Sequence, residues 1–140
     1  DAPQQLAQKL GHEHVIGGLC KILAWIAKPG VIVQHGALAE MVFGELDGCS
    51  SARVERLRHT LTAAGIMARV PTEGILPAMW DKFCCICTLS GAGAVMRAPL
   101  GSIIAERRSW LLFEALTHEG RAVAAAYGHG KQLDDEWAQT

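Results

Sequence analysis

What this 140-residue sequence lacks is the first guide to it. No charge of one sign dominates: 13 Lys and Arg stand against 14 Asp and Glu, a formal net charge of -1. A near-neutral chain carries no global field that would draw it onto nucleic acid or an anionic membrane. Long hydrophobic runs are missing too. The longest, residues 15–27, is broken by Lys21 and is too short to cross a bilayer. No signal peptide, internal repeat or low-complexity tract is visible. The cysteines, five in all, do not make an even set, and three of them crowd at positions 84, 85 and 87. Neighbouring cysteines on one helix do not easily meet disulfide geometry, so reduced thiols and a cytoplasmic setting are expected. What remains is a globular profile, half apolar and 19% charged, long enough for one ordinary core. The first residue is Asp and not Met, which suggests a piece cut from something longer.

Taken in order, residues 4–10 read as the last turns of a helix, with Gly11 as its cap. Residues 15–27 are apolar on both faces apart from Lys21. They fit a strand buried on both sides, with a buried helix as the competing reading. Lys28-Pro29-Gly30 is a turn, since Pro fixes φ and Gly accepts a positive value. Val31-Ile32-Val33 and Met41-Val42-Phe43 flank Gly36 and are expected to pair with each other as antiparallel strands. Asp47-Gly48 marks another turn. Ser50 or Ser51 can cap a helix that places Val54, Leu57, Leu61 and Ala64 on one face, and Gly65 stands where a terminating glycine belongs. Residues 66–70 alternate like a strand that Pro71 ends.

After Pro71 only helices are expected, one over 75–96 and another over 102–127, separated by Pro99 and Gly101. The first should turn Ile75, Met79, Phe83 and Ile86 inward, at spacings of a 3.6-residue period. In the second, Phe113, Leu116, Gly120, Val123 and Tyr127 keep helical spacing and Gly128 closes the helix. Helix and strand alternate first and helices follow alone, so the fold class is α/β followed by all-α. The composition shift near Pro71 is the candidate domain boundary.

The stretch Trp80-Asp81-Lys82-Phe83-Cys84-Cys85-Ile86-Cys87 lies in the middle of the first long helix. Lys82 is its odd residue. The positions one turn away on either side are Ala78, Met79, Cys85 and Ile86, and none carries a negative charge. Asp81, adjacent in sequence, points about 100° away around the helix. Such a lysine either snorkels to water or is held near a cleft for use, and spacing alone favours snorkelling.

Five short motifs change that balance. Val15-Ile16-Gly17-Gly18-Leu19-Cys20, Lys28-Pro29-Gly30-Val31-Ile32, Phe43-Gly44-Glu45, Ala64-Gly65-Ile66 and Trp80-Asp81-Lys82-Phe83 occur in the order and spacing of the ketopantoate reductase (2-dehydropantoate 2-reductase) family. Residues 119–128 also resemble that family's later helix. Each motif alone is weak; together and in order they form a specific pattern. The resemblance implies that residues 1–71 are the C-terminal part of a Rossmann-type NADPH-binding domain. Residues 72–140 would then open a helical C-terminal substrate domain. It further implies an NADP-dependent oxidoreductase of pantothenate biosynthesis, acting on a small 2-keto acid, and it admits a homodimer.

In the family so resembled, the lysine of the Trp-x-Lys motif is the general acid, a role that falls on Lys82. Carbonyl reduction builds negative charge on oxygen, which a nearby ammonium stabilises and then protonates. An apolar helix face makes that proton easier to give up. Four and eight residues after the lysine the family typically carries substrate-holding asparagines. Here Ile86 and Ser90 stand there; serine can still bind substrate with a shorter reach, and isoleucine cannot hydrogen-bond at all. The substrate implied is therefore 2-dehydropantoate, reduced to pantoate, or a related 2-keto acid that such a changed site would favour. The glycine-rich dinucleotide loop would lie before Asp1, so no cofactor-binding residue is expected within the chain. Gly91-Ala92-Gly93 is no substitute, because it follows a helix and lacks a third glycine. The 140 residues alone should be inactive.

Other chemistries are weaker. Cys84-x-x-Cys87 has zinc-ligand spacing, but no histidine is close in sequence, and core cysteines are the plainer reading. Arg53, Arg56, Arg58 and Arg69 read as a solvated face and not a nucleic-acid patch. His12-Glu13-His14 is too tight for a metalloprotease pair and is expected in a loop. Trp25, Trp80, Trp110 and Trp137 are scattered, as packing anchors are, and Glu119 reads as a solvated acid. The alternative function is a non-catalytic interaction or dimerisation module built from the same fold.

Overall fold

The computed structural model describes residues 2–129. Among them the order is α1 (Ala2–Leu10), β1 (Gly17–Lys28), β2 (Val31–Gly44), α2 (Ala52–Ala63), β3 (Met67–Arg69), α3 (Ile75–Met96), α4 (Leu100–Ala105) and α5 (Arg107–Ala126). Strands and helices alternate up to Arg69 and only helices follow, so the class is α/β and then all-α. Packing divides the chain into two compact units after Met79, inside α3.

The first unit is built on a three-stranded sheet in the order β1-β2-β3. β1 and β2 are antiparallel and joined through Pro29 and Gly30. Gly30 lies at φ 80°, the left-handed value that a turn with Pro before it requires. β3 returns parallel to β2 through α2, pairing Met41 with Ala68. The segments 31–33 and 41–43 do not pair with each other: they are the two ends of the single strand β2, each facing β1. Gly36, at φ 72°, marks a bulge inside the strand and not a turn between strands. There Ile22 pairs with Ala39 but Ala24 pairs with Gln34, so β2 carries extra residues.

Glycine also sets how the sheet is covered. Gly17 and Gly44 are cross-strand partners, and Ile75 at the start of α3 sits against both. A Cβ on Gly17 would meet Ile75 Cγ2 at 2.9 Å, Met79 Sδ at 3.0 Å and Leu46 Cδ2 at 3.1 Å. Val42, Phe43, Val54 and Ile75 are buried in this unit. Burial on both faces fails beyond the first residues of β1. Ile22, Leu23, Trp25 and Ile26 are exposed, as is Ile32; β3 pairs only with Glu40, Met41 and Val42, so the outer half of the β1–β2 ribbon has no third strand beside it.

Local chemistry sets the helix ends. Ser51 caps α2 by accepting from the Val54 N–H at 3.2 Å. After α2, Gly65 takes φ 80°, its N–H reaches the Thr62 carbonyl, and the Ile66 N–H reaches Leu61. α5 closes the same way at Gly128, with its N–H on Ala125 and that of His129 on Ala124. Pro77 falls in the first turn of α3, where its missing N–H has no helical partner to lose. The histidine pair at 12 and 14 forms a single 3₁₀ turn and not an irregular loop.

The second unit contains the rest of α3 with α4 and α5. The expected helix over 102–127 is broken. Glu106 ends α4 and caps α5, accepting from the N–H groups of Arg108 and Ser109 at 3.1 and 2.7 Å. These hydrogen bonds hold the Glu106 carboxyl below its ordinary range. α3 and α5 run antiparallel along small residues. Cys84 lies against Gly120, Thr88 Oγ1 is 3.5 Å from Thr117 Oγ1, and Leu116 reaches Gly91. The buried stripe of α3 is thus Cys84, Thr88 and Ala92; Phe83 and Ile86, expected inward, are exposed. The larger side chains fill the far end, where Ala92, Ile103 and Phe113 form a core joined by Met96, Trp110 and Leu116.

Candidate functional site

Lys82, Ile86 and Ser90 are successive four-residue steps on α3, so they share one face of the second unit. That face lies opposite the Cys84, Thr88 and Ala92 stripe, about 200° around the helix. α3 therefore packs with one side and presents the other. Lys82 is half-buried, while Ile86, at 46% exposure, and Ser90 stand out from the surface. Leu89, 37% exposed, and Cys85 flank the same row. Ser90 lies about 12 Å along the axis from Lys82. The row can bring one ammonium and one hydroxyl to a small molecule lying on an otherwise apolar surface.

Other candidates fall in different places. Of the crowded cysteines only Cys84 is buried, and burial, with Asp81 nearby, pushes its thiol up. Cys85 and Cys87 are exposed, so the core reading holds for one of the three: on a helix that packs through one stripe, neighbours in sequence face other directions. Among the described residues, no group of three or more His, Cys, Asp or Glu is placed to hold a metal ion. Gly91 and Gly93 lie inside α3 with Ala92 fully buried between them. Their N–H groups belong to the helix, so this run cannot cradle a dinucleotide's phosphates. Glu119 is exposed. No helix among the described residues is long and apolar enough to cross a membrane.

Two clusters went unseen in the sequence. Trp80 gathers Phe83 edge-on at 5.6 Å, Tyr127 at 5.2 Å and His129 at 6.0 Å, so this tryptophan is the centre of an aromatic group and not an isolated anchor. The helical spacing of 80 and 83 was the available signal; Tyr127 and His129, which follow the end of α5, needed the fold. Trp25 is exposed, Trp110 stacks on Phe113, and Trp137 lies outside the described residues. The second cluster is in the first unit. Arg53 donates to Glu45 through Nε at 2.7 Å and through Nη2 to the Val15 carbonyl at 3.2 Å, and the Ser51 hydroxyl also donates to Glu45. The Arg53 guanidinium, helped by Ser51 and opposed by burial, holds the Glu45 carboxyl down at about 2. Arg58 pairs with Glu55 and Arg69 with Glu40, so each of these arginines is tied to its own acid. A cavity of about 320 Å³ lies beside Glu45, Cys49, Ser50, Glu55 and Thr72, but both its carboxylates are already engaged by arginine.

Similarity to known proteins is concentrated on one family. The profile described as ketopantoate reductase PanE/ApbA C terminal matches residues 74–140, the segment that contains Lys82. An uncharacterized oxidoreductase of Bacillus subtilis is 32% identical over 103 residues, 73% of this chain and 33% of the relative. A 2-dehydropantoate 2-reductase of Nostoc is 26% identical over 141 residues, covering 98% of this chain and 43% of the relative. Among solved structures, a 2-dehydropantoate 2-reductase from Geobacter metallireducens matches with a TM-score of 0.85 at 25% identity, over 99% of this chain and 46% of the other. The chain thus spans between a third and a half of the length of these relatives.

Proposed function

The chain belongs to the ketopantoate reductase family, and from that premise we propose that the whole protein reduces a 2-keto acid with NADPH, with Lys82 as the general acid. The observation that carries this reading is the half-buried Lys82 on the open face of α3, within the segment the family profile matches. Residues 1–71 are proposed as the end of the dinucleotide-binding domain and 72–140 as the start of the substrate domain. NADPH, when bound, supplies the hydride, and Lys82 and Ser90 act on the substrate side.

There the geometry suits proton donation. As the keto carbon is reduced, its oxygen gains charge, and the Lys82 ammonium hydrogen-bonds to that oxygen and then transfers a proton, leaving a 2-hydroxy acid and a neutral amine that solvent reprotonates. Partial burial on an apolar row lowers the competition from water. Ser90, two turns on, is proposed to donate its hydroxyl to the acid's carboxylate.

The test is NADPH oxidation by the full-length protein over a panel of 2-keto acids, with Lys82→Ala and Lys82→Arg alongside. Loss of the general acid should lower kcat/KM by roughly 10²- to 10⁴-fold in Lys82→Ala. Arginine keeps the charge but does not give up a proton, so Lys82→Arg should remain impaired. Wild-type rates in both variants would remove Lys82 from the mechanism. No turnover on any acid would leave the alternative, a non-catalytic interaction module of the same fold.

A further inference from the structure

Resting on the assignment of Lys82 above, we infer that the preferred substrate is a 2-keto acid with a purely aliphatic tail, and that Ile86 is the residue that selects it. A keto oxygen on the Lys82 ammonium puts the rest of a small acid over the neighbouring turns of α3. On the C-terminal side those turns present Cys85, Ile86 and Leu89. Ile86 and Leu89 offer apolar surface outward, 46% and 37% exposed, and are not used up in the core. With Lys82 on the keto oxygen and Ser90 on the carboxylate, the only polar side chain left on the row is the Cys85 thiol, a weak hydrogen-bonding group. A hydroxyl on the tail would lose water and gain no comparable partner here. A methyl group in its place gains contact with Ile86.

The choice of substrate pair isolates this effect. 3,3-Dimethyl-2-ketobutanoate and its 4-hydroxy derivative, 2-dehydropantoate, share a carbon skeleton and differ by one hydroxyl. With the full-length protein, kcat/KM for the first should exceed that for the second by about 10- to 100-fold, the range an apolar surface achieves against an added hydroxyl. Ile86→Asn puts a donor and an acceptor at the same position and should shrink that ratio by at least about tenfold. Ile86→Val, still apolar, should preserve it. Position 86 is exposed, so these variants should fold as the parent does. Equal rates, a preference for the hydroxylated acid, or a ratio indifferent to Ile86→Asn would each overturn the inference. Those outcomes leave the role of Lys82 standing, because Lys82→Ala tests it separately on whichever acid is used. Turnover of neither compound, nor of any other 2-keto acid, would overturn both.

Discussion

At the scale of single residues, the Glu45 carboxylate makes the sharpest prediction for solution behaviour. Its pKa falls to about 2 in the folded chain, from an ordinary 4.5, chiefly because Arg53 hydrogen-bonds to it. A carboxylate depressed on folding contributes stability that is complete above the unfolded value and disappears as pH drops through the folded one. The first unit should therefore weaken progressively between about pH 4.5 and 2. Glu45→Gln should already be less stable at pH 7 and should lose this part of the acid dependence; parallel acid titrations of the two proteins, followed by circular dichroism, would reveal it. Identical acid profiles would mean that Glu45 does not hold the end of β2 to α2. Nothing in the sequence singles out this contact, because an acid and an arginine eight positions apart meet only once the turn at Gly48 brings them together. Lys82 was equally silent to spacing. The residues one turn away on α3 carry no acid, which does not distinguish a snorkelling lysine from a working one, and only the ordered motifs of the family single it out.

Between elements, the α3–α5 seam governs. Small side chains let the two helices approach closely, and a Cβ at position 120 would meet Cys84 at 3.6 Å, an ordinary contact. Gly120→Ala should thus be neutral or raise stability, by up to about 1 kcal/mol from helix propensity. Gly120→Leu should lower stability by about 1–3 kcal/mol, because the added atoms run into Cys84. Thermal melts of the two variants give opposite signs if the seam is as tight as described; equal destabilisation would point to a requirement for glycine itself. Helix ends at Ser51, Gly65 and Gly128 were legible in advance, since capping is local chemistry. The extent of α3 was legible for the same reason. Its buried stripe was not: an expectation built on large apolar residues points to Phe83 and Ile86, whereas close helix packing chose Cys84, Thr88 and Ala92. The break at Glu106 was hidden because neither Pro nor Gly marks it. The continuity of β2 was hidden because Gly36, which bends one strand, has the signature of a turn between two.

For the whole molecule, the two-class architecture followed from alternation giving way to helices, but exposure did not. Ile26 and Ile32 face each other across the ribbon at 74% exposure each, in the half that β3 does not reach. This chain should bind the dye ANS, and replacing both residues by Thr should cut the fluorescence by about half while keeping strand propensity. Unchanged fluorescence would locate the dye elsewhere. The opposition of the two faces of α3 has another consequence. Residues that hold the helix in place and residues that touch the proposed substrate do not overlap, so selection can act on one set without disturbing the other. A lineage could exchange Ile86, Leu89 or Ser90 one at a time and wander among keto acids with little toll on folding. Descendants of one ancestor would then share the same seam and differ in diet.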